Sequence, residues 1–171
     1  MPVKLARRHN RLRHGLLALL MLGLASELAA SELPPYSRGY SPARDPFVDG
    51  RAALNLARQT RRRVLIELGG DWCRWCIALE RFLTGNQQVS RQLHAHFVVL
   101  MVNVSDANDN AAFLAGLPPN QGYPHIFVAD RDGHIIHSQD TARFLVNGRY
   151  DPQRLLAFIQ RWRLPPSGAA P

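Results

Sequence analysis

The stretch Val64-Leu65-Ile66-Glu67-Leu68-Gly69-Gly70-Asp71-Trp72-Cys73-Arg74-Trp75-Cys76 decides the predicted fold. Its first five residues form a short, mostly apolar and partly β-branched run, which is typical of a strand covered on both faces. The Gly-Gly pair ends this run, and apolar residues at helical spacing follow the second cysteine. The sequence therefore predicts a buried strand, a turn, and a helix that begins near Cys73 and ends near residue 85.

The segments on either side of this stretch alternate between helical and strand patterns. We predict helices over 50–62 with Asp49 as cap, over 73–85, over 89–94 and over a few residues at 111–114. A closing helix begins at Asp151-Pro152. Strands are predicted at 64–68, 97–104, 126–128 and 135–136, the last two joined by a tight turn at 131–133. A helix joins the first two strands, which should therefore be parallel. This order predicts an α/β fold with a mixed central sheet and helices on both faces.

The chain divides into four predicted segments. Residues 1–30 have a basic start, an apolar run from Leu16 to Leu24 and small residues after it, as in a secretory signal peptide, with an uncleaved anchor as the alternative. Residues 31–48 are rich in Pro, Ser, Gly and Tyr and are interpreted as an extended lead-in outside the core. Residues 49–164 form the folded domain, and residues 165–171 a disordered tail. We therefore expect an exported, periplasmic protein, in a compartment that permits disulfides.

The charge pattern argues against a nucleic-acid partner. The formal net charge is +8, and residues 1–30 contribute half of it, with five basic residues and one acidic residue. The dense basic run that is left, Arg61-Arg62-Arg63, is not interleaved with aromatic residues and is interpreted as a solvated helix end. No nucleic-acid partner is expected.

The two cysteines of the chain, Cys73 and Cys76, are separated by two residues at the start of a predicted helix. Unpaired N–H groups at the helix N-terminus and the charge of Arg74 stabilise a thiolate over a thiol at Cys73. Cys73 is therefore the predicted nucleophile and Cys76 the resolving thiol. A purely structural disulfide is a poor alternative, because closing so short a loop adds little stability.

A metal site is a second alternative for the cysteine pair. Structural zinc needs four ligands, usually from two paired motifs, and only one pair is present. The histidines that could complete a site have no convincing spacing to the cysteines; they are His94, His96, His125, His134 and His137. We therefore expect no metal and no cofactor. A binding module or a metal carrier without redox turnover is the alternative function.

From about Asp49 to Leu164 the sequence resembles the thioredoxin superfamily. The stretch from Val64 to Cys76 looks like that family's first central strand and its Trp-Cys-x-x-Cys active site, and Asp71-Trp72 before Cys73 is similar to exported bacterial members. The resemblance implies a thioredoxin fold and a monomeric thiol–disulfide oxidoreductase that reduces or exchanges disulfides in exported proteins. It also implies partners with thiols or disulfides and a membrane or periplasmic redox partner.

The resemblance also assigns further site residues. Glu67 is at the position of a buried acid that takes the proton from Cys76, and a partly exposed strand-end Glu is the alternative. Pro124 is at the position of a cis proline, and Tyr123 before it would offer backbone hydrogen bonds to a substrate chain. Trp72 is a predicted wall of the substrate groove, with ordinary packing as the alternative. Trp75 is a predicted contact for a partner, with a surface-covering aromatic as the alternative.

The direction of electron flow depends on opposing features. Arg74, also a predicted substrate contact, favours the thiolate and hence an oxidant, because a stabilised reduced form makes the disulfide a stronger oxidant. The acid at Glu67 and the Asp71-Trp72-Cys73 pattern resemble those of reductases. Reduction or general interchange is the favoured prediction.

Overall fold

The strand predicted at 64–68 is β1 (Arg63–Gly69), a central strand of a four-stranded sheet. In the computed structural model, which describes residues 32–165, the sheet order is β2 (Phe97–Asn103), β1, β3 (His125–Ala129) and β4 (Ile135–Asp140). Strand β1 is parallel to β2 and antiparallel to β3, and β4 is antiparallel to β3. The predicted mixed sheet, with a parallel first pair and a hairpin at its end, is confirmed.

The helices of the described residues are α1 (Pro46–Gln59), α2 (Arg74–Gly85), α3 (Gln87–His96), α4 (Ala111–Leu114) and α5 (Pro152–Trp162). Helix α5 begins as predicted, since the Asp151 carboxylate accepts a hydrogen bond from the backbone N–H of Arg154. Two 3-10 helices, Pro35–Ser37 and Thr141–Phe144, and a short hairpin of β5 (Leu145–Val146) and β6 (Arg149–Tyr150) were not predicted. These segments are too short to show a periodic pattern.

Side chains of β1 point alternately to the two faces of the sheet. Leu65 and Glu67 face α2, α3 and α5, while Val64, Ile66 and Leu68 face α1. Each face has its own core: one includes Leu79, Leu93, Phe97, Phe158 and Ile159, and the other includes Ala53, Ala57, Leu100, Val102 and Phe127. The prediction of helices on both faces is confirmed, and the end of β1 leads directly into the cysteine turn.

Helix α1 begins four residues before the predicted start. Asp45, not Asp49, is its cap, because the Asp45 carboxylate accepts a hydrogen bond of 2.8 Å from the backbone N–H of Phe47. Asp49 lies in the first turn, where it accepts a hydrogen bond of 2.6 Å from Arg44 Nε. The prediction was wrong because Pro46 is tolerated at the first helical position, where its missing N–H costs nothing.

The described part of segment 31–48 is not an extended lead-in outside the core. Tyr36 and Tyr40 are 6% and 7% exposed, and the Ser37 hydroxyl donates a hydrogen bond to the carbonyl oxygen of Val99. Tyr36 packs on the α1 side of the sheet and Tyr40 on the α2 side. The Pro-rich composition correctly predicts that this segment is mostly irregular. It does not show that two aromatic side chains are buried, and their burial is worth a few kcal/mol.

The basic run after α1 is not a freely solvated helix end. Arg62 Nη1 donates a hydrogen bond of 2.8 Å to the carbonyl oxygen of His94, and Arg63 Nη1 donates one of 2.5 Å to that of Trp162. These carbonyls lie at the C-terminal ends of α3 and α5, where cationic side chains are stabilising. The solvated interpretation is therefore wrong for Arg62 and Arg63 and holds for the exposed Arg61.

The predicted signal peptide at 1–30 and the tail beyond Pro165 lie outside the described residues. Within residues 32–165, no helix combines the length and the apolar character needed to cross a membrane.

Candidate active site

Cys73 and Cys76 form a disulfide at the N-terminus of α2, with their Cα atoms 5.2 Å apart. Cys73 is the cap residue of the helix, and its Sγ accepts a hydrogen bond of 3.1 Å from the backbone N–H of Cys76. The sulfur thus occupies the place that a Ser or Asp oxygen usually takes at a helix start. The same N–H group and the helix dipole stabilise negative charge on this sulfur once the disulfide is reduced.

Two exposed tryptophans flank the disulfide. Cys73 and Cys76 are only 5% and 0% exposed, whereas Trp72 and Trp75 are 61% and 44% exposed. The Trp72 indole Nε1 donates a hydrogen bond of 2.6 Å to the carbonyl oxygen of Val104. A partner that reaches the sulfurs therefore meets exposed aromatic side chains at the residues next to them in the chain.

Trp72 and Tyr123 are brought together, as an edge-to-face pair with ring centroids 5.8 Å apart. The Tyr123–Pro124 peptide bond is cis, as predicted, and Pro124 is buried. Because His125 pairs with Leu68, Pro124 lies at the end of the sheet where β1 stops and the cysteine turn begins. Five of the predicted site residues therefore lie at one end of the sheet: Trp72, Cys73, Cys76, Tyr123 and Pro124. Arg74 is exposed, at the first position of α2.

Tyr150 is a site residue that the sequence analysis missed. Its ring contacts Trp75, with centroids 6.3 Å apart, and its hydroxyl donates a hydrogen bond of 3.3 Å to the Trp75 carbonyl oxygen. Burial raises the pKa of Tyr150 to about 12, so the hydroxyl stays protonated near neutral pH. Nothing in the sequence points to this residue, because it reaches the cysteine helix through the unpredicted β5–β6 hairpin.

Glu67 is buried, with 2% of its surface exposed, so the alternative of a partly exposed strand-end residue is wrong. Its carboxyl is surrounded by apolar side chains, among them Leu79, Ile126 and Leu155. The Tyr40 hydroxyl donates a hydrogen bond of 2.6 Å to Glu67 Oε1. Burial raises the pKa of Glu67 to about 7, against the lowering effect of the Tyr40 hydrogen bond. A group with this pKa can both accept and release a proton near neutral pH.

The histidines considered as metal donors do not assemble a site. Across residues 32–165, no group of three or more His, Cys, Asp or Glu side chains is placed to hold a metal ion. His125 is buried and its Nε2 is hydrogen-bonded to Ser138 Oγ at 2.8 Å, and the His137 ring stacks on Trp162 with centroids 4.1 Å apart. These two histidines therefore have structural contacts of their own.

Residues 48–130 match the sequence model of a family described as thioredoxin-like. The chain therefore has a thioredoxin fold, and its Trp72-Cys73-Arg74-Trp75-Cys76 segment is consistent with a Trp-Cys-x-x-Cys motif. No curated protein sequence matches the chain significantly.

Solved structures give the same fold. A disulphide isomerase from Xylella fastidiosa Temecula1 is 25% identical, with a TM-score of 0.60 over 77% of this chain and 98% of the isomerase. The reduced C-terminal domain of Neisseria meningitidis DsbD is 17% identical, with a TM-score of 0.52 over 70% of this chain and 97% of that domain. The fold and the close cysteine pair together indicate a thiol–disulfide oxidoreductase.

Proposed function

We propose that the protein reduces or exchanges disulfides in exported proteins, with Cys73 as the attacking thiolate and Cys76 as the resolving thiol. The observation that carries this proposal is the position of Cys73 Sγ, which caps α2 and accepts the Cys76 N–H hydrogen bond. Backbone N–H groups at a helix start hold a sulfur as an anion, and the thiolate is the nucleophile in disulfide exchange.

The reaction needs only the two cysteines, one proton acceptor and the partner. The Cys73 thiolate attacks one sulfur of a partner disulfide, and the partner's other sulfur leaves as a thiolate. Cys76 loses its proton to Glu67 and attacks Cys73 Sγ, which forms the Cys73–Cys76 bond and releases the second partner thiolate. The partner gains two electrons and this protein is oxidised; the reverse sequence oxidises a partner dithiol.

A substrate chain would bind across the aromatic surface around the disulfide. The Tyr123 backbone, next to the cis Pro124, would pair with an extended segment in the manner of an added strand. Trp72 and Trp75 would form the walls of this groove, and Arg74 would contact acidic or polar groups of the partner. The neighbour from Xylella fastidiosa is described as a disulphide isomerase, which agrees with the interchange part of the proposal.

The cellular setting of the proposal comes from the sequence. The pattern of residues 1–30 supports export to the periplasm, where a membrane or periplasmic redox partner would return electrons to the disulfide. The raised pKa of Glu67 supports reduction or interchange, because it supplies a base for the resolving thiol near neutral pH. We propose that the protein works as a monomer.

Replacing each cysteine in turn tests the proposal. The reduced protein is mixed with a disulfide-bonded protein, quenched with acid at set times and alkylated, and the products are identified by mass spectrometry. Cys73→Ser should abolish exchange, while Cys76→Ser should attack once and accumulate a mixed disulfide at Cys73. Undiminished activity of Cys73→Ser would disprove the proposal and would favour a binding module.

Equilibration with glutathione buffers gives the direction of electron flow. A reduction potential near the thioredoxin value of about −270 mV would support a reductase, and one near about −120 mV would indicate an oxidant.

A further inference from the structure

Tyr40 contacts both the acid and the neighbourhood of the resolving cysteine. Its hydroxyl donates a hydrogen bond of 2.6 Å to Glu67 Oε1. A Cβ atom placed on Gly69 would lie 2.6 Å from Tyr40 Oη and 2.7 Å from Cys76 Sγ. Both atoms therefore lie against the same side of Gly69, within 2.7 Å of one point. Tyr40 and Cys76 are also both buried, so bulk water has little access to the space between them.

We propose that the Tyr40 hydroxyl relays the proton from the Cys76 thiol to the Glu67 carboxylate when the mixed disulfide is resolved. This inference rests on the proposed dithiol function and adds to it a residue from the segment before the thioredoxin-like match, which begins at residue 48. Tyr40 is absent from the Trp-Cys-x-x-Cys motif and from the β1 strand, so the motif alone does not identify it.

The proton transfer balances without any added reagent. The Sγ–H proton of Cys76 passes to Tyr40 Oη while the Tyr40 O–H proton passes to Glu67 Oε1, so the tyrosine is neutral before and after. Cys76 Sγ then bonds to Cys73 Sγ, and the bond between Cys73 and the partner sulfur breaks. The electron pair of that bond leaves on the partner sulfur. The proton on Glu67 is released before the next cycle.

The charged and titratable groups around Cys76, Tyr40 and Glu67 favour a relay over direct deprotonation of Cys76 by a tyrosinate. Burial and the Glu67 charge hold the pKa of Tyr40 well above its ordinary value, so its hydroxyl keeps a proton to pass on. Glu80 on α2 acts on both Glu67 and Tyr40 by like-charge repulsion, and Tyr150 on β6 also faces Tyr40. Within this group Glu67, with a pKa of about 7, is the suitable final acceptor.

The test separates the attack from the resolution. The reduced protein is mixed with glutathione disulfide and quenched with acid, and mass spectrometry follows the reduced, glutathionylated and internally oxidised forms over time. Tyr40→Phe should slow resolution at pH 7 by about tenfold or more. The rate of Cys73 attack should stay within about twofold of wild type, which also shows that the variant is folded. A failure of the proposed function would appear in the attack rate, whereas a failure of the relay appears only in the resolution rate.

A matched control variant and the pH dependence of resolution sharpen the test. Tyr36→Phe removes the hydroxyl of another buried tyrosine, which belongs to the same segment but lies on the opposite face of the sheet, and the variant should resolve the mixed disulfide at the wild-type rate. In wild type the resolution rate should rise with pH through about 7, as Glu67 loses its proton, and Tyr40→Phe should lose this step.

The Tyr40→Phe/Glu67→Gln double variant should be no slower than the slower single variant, because both belong to one relay. The relay is wrong if the single effects multiply in the double variant, or if Tyr40→Phe keeps the wild-type pH profile.

Discussion

The indole of Trp72 is fixed to the carbonyl oxygen of Val104 by a hydrogen bond of 2.6 Å, although the residue is 61% exposed. Its ring also contacts Tyr123, which precedes the cis proline. An aromatic side chain that is already ordered in the free protein loses little rotamer freedom when a partner binds. The Trp72–Val104 contact therefore favours a role in partner binding over a role in core packing.

Trp72→Phe tests that role. The variant loses the hydrogen bond to Val104 and should slow attack on a disulfide-bonded peptide by about two- to tenfold, since one aromatic contact is worth about 0.5–1.5 kcal/mol. Attack on glutathione disulfide should be unchanged, because so small a partner makes little use of the aromatic groove. Stopped-flow rates with both substrates provide the measurement. Phe47→Leu, at an exposed aromatic residue on α1, is the matched control and should change neither rate. Equal slowing with both substrates would contradict the partner-binding role.

Glu67 predicts a pH dependence of stability. Its pKa is about 7 in the folded protein against an ordinary value of 4.5, so folding favours the protonated form. The stabilising contribution is complete below about pH 4.5 and is lost as the pH rises to about 7. Across this window Glu67→Gln should gain up to about 3 kcal/mol relative to wild type. Urea unfolding of the oxidised proteins at several pH values measures the difference.

The control for this pH effect is Asp71→Asn, which removes an exposed carboxylate four residues after Glu67 and leaves the buried one in place. Its stability should follow the wild-type pH profile. A Glu67→Gln variant with the same profile as wild type would show that the carboxyl is ionised in the folded protein throughout this window.

The start of α1 gives a prediction about capping. Asp45→Ala should lower the free energy of unfolding by about 1 kcal/mol, because the backbone N–H groups of Phe47 and Val48 lose their acceptor. Asp45→Asn keeps a side-chain oxygen at the same place and should cost a few tenths of a kcal/mol at most. Urea midpoints compare the two variants. If both lose the same stability, the carboxylate contributes by its charge and not as a cap.

The sheet and its helices could be predicted because β1 and β2 are continuous apolar runs and because Asp151-Pro152 and the cysteine turn are strong local signals. Asp45-Pro46 carries the same Asp-Pro signal, but Asp49 also has the residue type of a helix cap, and its pairing with Arg44 is visible only in the structure. Local patterns therefore located the elements, while their exact starts depended on contacts between side chains.

The site residues also fall into those that the sequence identifies and those that only long-range contacts reveal. Cys73 and Cys76 could be found from their spacing at the start of a predicted helix, whereas Glu67 and Pro124 were assigned through the resemblance to the thioredoxin superfamily. Tyr40 and Tyr150 could not be found, since each reaches the site from a segment with no periodic pattern, through long-range packing. Their part in the site follows from which groups the fold places beside Glu67 and Trp75.

Gly69 provides the last prediction, because it leaves the space in which the Tyr40 hydroxyl and Cys76 Sγ lie. A Cβ atom there would be 2.6 Å from the hydroxyl oxygen and 2.7 Å from the sulfur, so both close contacts must be relieved by movement of the packed groups. Gly69→Ala should lower the free energy of unfolding by about 1–3 kcal/mol. Gly85→Ala, in α2 with no atom within 4 Å of its new Cβ, should instead stabilise by about 0.4–1 kcal/mol. Urea unfolding of the oxidised variants measures both effects, and a neutral Gly69→Ala would show that Tyr40 and Cys76 can separate without loss of packing.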